Sequence, residues 1–133
     1  MTAPWLCRNL LWVDGLAAAS AGVLMLAIGD RLSSWYQLPP ALLQLIGLVS
    51  LGYATYSLSL AMRARRPRTL IVLLVIANSL WAAACLRWAV VFAPTASPWG
   101  LAHLLGESAF VGGLALLEWR WWARLATPVE AAA

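Results

Sequence analysis

Four long apolar runs separated by short, proline-bearing breaks set the pattern of the chain. They cover residues 10–28, 41–62, 69–93 and 99–122, and each approaches the about 20 residues a helix needs to cross about 30 Å of hydrocarbon. Only helices and closed barrels satisfy their backbone in lipid, and these runs lack the alternation of barrel strands. The breaks are "GDRLSSWYQLPP" (29–40), "RARRPR" (63–68) and "PTASP" (94–98). Proline stops a helix because it has no N–H to donate to the preceding turn. Links this short make consecutive helices antiparallel neighbours. The pattern therefore predicts an all-α membrane protein, an up-down-up-down four-transmembrane-helix bundle, with residues 1–133 forming a single membrane domain. The tail "VEAAA" (129–133) is expected to be unstructured.

Composition sharpens this reading. Of 133 residues, 63% are hydrophobic and 11% charged, against roughly 25% charged in ordinary globular domains. Mean hydropathy is +0.80. A chain this short has too little interior to hide so much apolar surface from water, so the bilayer is its expected solvent. The net charge of +4 does not point to nucleic acid, because the basic residues flank apolar runs instead of forming a basic face. All nine are arginine, and their placement gives a direction. Arg8, Arg63, Arg65, Arg66, Arg68, Arg120 and Arg124 share one side of a four-span layout, whereas the opposite loops hold Arg31. The positive-inside rule then puts both termini in the cytoplasm of a multi-pass protein in the cell (inner) membrane. Cys7 and Cys85 form no CxxC, and no disulfide framework is expected.

Ionisable groups inside spans are costly and call for an explanation. In "HLLGESAFVGGLALLE", His103, Glu107 and Glu118 fall within an arc of ~60° on a helix, so one face carries all three and is expected to avoid lipid. Glu118 lies near Arg120 and Arg124 and is expected to be an interfacial acid. His103 and Glu107, four residues apart, can touch. Arg87 in the third run lies about 10 Å below the turn at Pro94, level with them. An Arg87–Glu107 pair with His103 nearby is the first candidate polar cluster, since an unpaired buried arginine is expensive. Its simplest role is to lock the third and fourth helices together, and a proton or ligand site is the alternative. The second polar group is Asp14, Tyr56 and Asn78, at comparable depth nearer the arginine-rich end, where a tyrosine hydroxyl or the asparagine amide donates to Asp14. Asn78 and Arg87 are half a turn apart, so the two groups are expected to remain separate. Small residues spaced by four, Gly15–Ala19, Ala18–Gly22, Ala102–Gly106 and Ala109–Gly113, allow close helix approach.

No phosphate loop, GxSxG, HExxH or CxxC is present, so neither catalysis nor a cofactor is expected. One His and one Glu are too few for a metal site, and a single His excludes a bis-histidine haem within one chain. The four-span layout, the length and phrases such as "GLVSLGYATYSLSLAMRARRP" resemble small bacterial integral membrane proteins, broadly the DoxX-like group. That resemblance implies a link to quinones and redox stress and carries over no functional residue. Small multidrug-resistance transporters are similar in having four spans and an acid early in the first, loosely matched by Asp14, although theirs is a glutamate. The expected role is a non-enzymatic accessory or scaffold bundle, with the lipid bilayer, its own copies or other membrane proteins as partners. The alternatives are a binder of a hydrophobic ligand, lipid or quinone, and a small proton-coupled transporter. A cavity beside His103 and Glu107 would favour the binder.

Overall fold

A computed structural model of the chain describes residues 2–126, so the tail "VEAAA" lies outside the described residues. The chain is all-helical: α1 (Thr2–Ala27), α2 (Gly29–Tyr36), α3 (Pro40–Met62), α4 (Arg68–Phe92), α5 (Pro98–Arg120) and α6 (Trp122–Ala126). Helices α1, α3, α4 and α5 are each long and apolar enough to span a membrane. Proline marks the starts of the last three. Pro40 and Pro98 open α3 and α5, where a missing N–H costs nothing, and Pro67 caps α4.

The first break is not the open loop its Gly, Ser and Pro content predicts. Residues Gly29–Tyr36 form a short helix with Asp30 in its first turn, ending at Gln37 in the left-handed conformation (φ 54°). Burial explains it, because Leu32 and Leu38 enter the core and local turn preferences yield to packing. The C-terminal end of α2 is tied to the start of α5. Ser97 donates through its N–H to Tyr36 O (2.9 Å) and through its hydroxyl to Trp35 O (2.8 Å). Gly100 is required here, since a Cβ would collide with the Tyr36 carbonyl.

Close helix–helix contact is concentrated in two antiparallel pairs, α1 with α3 and α4 with α5. At the α1–α3 seam, Gly15 faces Leu58 and Gly22 faces Leu51 and the Gly47 backbone, so the absent side chains let the two helices approach. In α5 the expected small-residue pairs do not act this way. Gly106 and Gly113 have no neighbour that a Cβ would touch, and Gly112 meets Ala82 instead. Apolar clusters close the bundle at both ends. Leu10, Leu11, Leu60, Ile71, Leu74 and Leu125 close the arginine-rich end. Met25, Leu38, Leu43, Ile46, Ala89 and Leu104 close the end that carries α2. Between these plugs, the two pairs stand apart.

Candidate functional site

The gap between the helix pairs is a cavity of about 700 Å³, with walls from all four spanning helices. Its walls are largely small and apolar, including Ala17, Ala18 and Ala21 from α1 and Ala77 and Ala84 from α4. Along α5 it extends from Ala102 to Val111, about 14 Å at 1.5 Å per residue. Leu80 and Phe110 form part of the wall and are 67% and 50% exposed, so the cavity is continuous with the outer face of the bundle at mid-helix depth. Volume, apolar walls and a few convergent polar groups match the general character of small-molecule sites.

The first polar group faces the cavity near the α2 end. His103 Nε2 approaches Glu107 Oε2 to 3.0 Å, without the alignment of a hydrogen bond. The indole Nε1–H of Trp81 donates to Glu107 Oε1 at 2.7 Å. The imidazole also stacks on Tyr36, with ring centroids 5.3 Å apart. The α4–α5 seam is reinforced one residue further along each helix, where the Ser108 hydroxyl donates to Ala82 O at 2.8 Å.

Arg87 is not part of this group. It is exposed, and the side chains that approach Glu107 are His103 and Trp81. Helix rotation is the reason. Trp81, about 120° around α4 from Arg87, occupies the inward face and supplies the donor that the arginine was expected to provide. Arg87 lies on the face of Leu86 and Val90, which is exposed. It is within about 8 Å of the helix end, so its long side chain can reach the interface and leave its stem in lipid.

The second polar group is larger than the sequence suggests and draws on every spanning helix. The hydroxyls of Tyr53 and Ser57 both donate to Asp14 Oδ2, Ser57 at 2.9 Å. Asn78 Nδ2 donates to Glu118 Oε2 at 2.9 Å. The Asp14 and Glu118 carboxyls are themselves within hydrogen-bonding reach of each other. Asp14, Ser57, Asn78 and Glu118 are all buried. Glu118 is therefore not the interfacial acid expected from Arg120 and Arg124. It is fully enclosed, because it shares the inward face of α5 with His103 and Glu107 and faces α1 and α4.

Tyr56 is also displaced from its expected role. Its hydroxyl donates to Leu70 O at 2.9 Å across the α3–α4 turn, and Tyr53 serves Asp14. Tyr53 and Ser57 are four residues apart and share a face, a spacing visible in "YATYS" that could have identified the pair. Nothing in the sequence singles out Trp81 among the tryptophans. The two groups are not separate sites, since Asp14, Tyr53 and Asn78 line the same cavity as Trp81, His103 and Glu107. They sit at different depths along one chamber. No family model matches the chain, and no curated protein or solved structure does either. The DoxX-like resemblance thus rests on the layout of spans, and the site is read from its own geometry.

Proposed function

We propose that this four-span protein is a non-enzymatic membrane binder of a hydrophobic small molecule with a hydrogen-bonding head, of the lipid or quinone kind. The cavity carries this reading. A bundle whose sole task is to hold helices or partners together gains by filling its interior, since empty volume forfeits dispersion contacts. This one instead keeps alanine where larger side chains could fill the space. The apolar walls suit a hydrocarbon body. Trp81, His103 and Glu107 at one level, and Tyr53 and Asn78 at another, offer donors and acceptors for a polar head. A route through the exposed Leu80 and Phe110 rim admits a ligand sideways from the bilayer without crossing water. The arginine distribution supports an orientation with both termini in the cytoplasm, as the positive-inside rule would have it.

The test is the intact mass of the protein released from native membranes in mild detergent. A bound small molecule is expected on the wild-type chain and is lost in Ala84→Phe or Ala18→Phe, which fill the cavity, while helicity and melting temperature are retained. A clean protein mass overturns the proposal, as does an adduct that survives both substitutions. A reporter fused to the C-terminus tests the orientation and is expected to read cytoplasmic.

A further inference from the structure

Two acidic side chains facing one another in the interior of a membrane protein present an electrostatic problem. Asp14 on α1 and Glu118 on α5 are 3% and 0% exposed, and their carboxyls are within hydrogen-bonding reach. Every helix packed around them supplies neutral groups. From α3 come the Tyr53 and Ser57 hydroxyls, and from α4 comes the Asn78 amide. Neither carboxyl has an arginine or histidine partner among the described residues, where the contact between an acidic and a basic side chain is His103–Glu107. Arg8, Arg120 and Arg124, on α1, α5 and α6, are exposed. Arg66 donates to the Leu60 and Ala61 carbonyls at the end of α3. Two carboxylates at such close quarters cannot both remain ionised without a compensating cation.

The hydrogen-bond pattern indicates how the charge is balanced. Tyr53 and Ser57 both donate to Asp14 Oδ2, and Asn78 donates to Glu118 Oε2. The remaining Glu118 oxygen, Oε1, is buried and has no partner. As an acceptor it would be stranded, whereas a proton on it turns it into a donor for the neighbouring carboxylate. An O–H to carboxylate hydrogen bond is among the strong ones, because one partner is ionised.

We propose that Asp14 and Glu118 form a one-proton site, an acid–carboxylate pair in which Glu118 Oε1–H donates to Asp14. Asp14 lines the cavity and Glu118 lies behind it. The proton is therefore held between the chamber and the apolar plug at the arginine-rich end, and it exchanges through the chamber. The site does not depend on the cavity holding a ligand. It requires only the network and the enclosure that the four helices give it.

Infrared spectroscopy of the full chain in lipid nanodiscs tests this directly, because a protonated carboxyl has a C=O stretch distinct from that of a carboxylate. In Glu107→Gln/Glu130→Gln protein, Glu118 is the one glutamate left, so a 13C-carboxyl glutamate label reports it alone. At pH 7 a carboxylic acid band that shifts with this label is expected, and Asp14→Asn is expected to abolish it. Absence of the band at pH 7 overturns the site. A band that survives Asp14→Asn in folded protein also overturns it, since Glu118 would then be protonated on its own account. Loss of the band on adding sodium or potassium, with a matching gain in stability, would reveal a cation in place of the proton and would likewise overturn the proposal. The wild-type acidic pair is intact in the labelled protein, so a folding failure of Asp14→Asn leaves the first outcome decisive.

Discussion

Asn78→Leu isolates the energetic contribution of the interhelical network. The substitution keeps the side chain's approximate size and removes its hydrogen bond to Glu118 Oε2, at 2.9 Å between two buried groups. With Glu118 Oε1 directed to Asp14, the variant strands the other oxygen, Oε2, without a donor from α4. Stranding a buried polar group costs about 1–3 kcal/mol. Interhelical hydrogen bonds in membranes average about 0.6 kcal/mol and reach about 1.7, because the unfolded chain in lipid also finds partners. The expected loss is therefore about 1–2 kcal/mol, a factor of roughly 5–30 in the folded-to-unfolded ratio. Reversible unfolding in mixed detergent micelles reads it. Glu118→Leu and the double variant complete a cycle. If the bond is the cause, the double variant costs less than the sum of the singles by about 1 kcal/mol, since replacing both partners with apolar groups can be nearly neutral. Additivity within about 0.5 kcal/mol would refute the coupling, as independent sites behave in that way.

Other substitutions separate neighbouring residues that look alike in the sequence. Arg87→Ala is expected to change unfolding stability by less than about 0.5 kcal/mol, as for surface positions, whereas Trp81→Phe loses the donor to Glu107 and costs about 1–2 kcal/mol in the same assay. The reverse ranking would restore the arginine as the partner of Glu107. Gly22→Leu places a Cβ 2.7 Å from Leu51 Cγ and 3.0 Å from the Gly47 carbonyl. It is expected to destabilise by about 1–3 kcal/mol through overpacking, and an unchanged midpoint would show that the α1–α3 seam yields easily.

The number of spanning helices, their order and their antiparallel pairing are legible in the chain because lipid leaves the backbone so few options, whereas the short helices α2 and α6 are not. A run of about 20 apolar residues must cross as a helix, and short proline-bearing links bring it straight back. The shared face of His103, Glu107 and Glu118 follows equally from helical spacing. What each residue meets on that face was decided by tertiary structure. Asp14 is served by Tyr53 in place of Tyr56, Glu107 by Trp81 in place of Arg87, and Glu118 is drawn from the interface into the interior. Each difference is a matter of helix rotation, and these helices are apolar almost all round, so their patterning gives little indication of which side turns inward. In a bilayer, lipid tails solvate an apolar side chain about as well as a neighbouring helix does. Rotation is therefore set by close packing at positions such as Gly15, Gly22 and Gly47, and by hydrogen bonds between helices. The cavity arises in the same way, because the small residues that bring α1 against α3 leave the two pairs separated at mid-depth, a consequence of three-dimensional packing that no single run of sequence encodes.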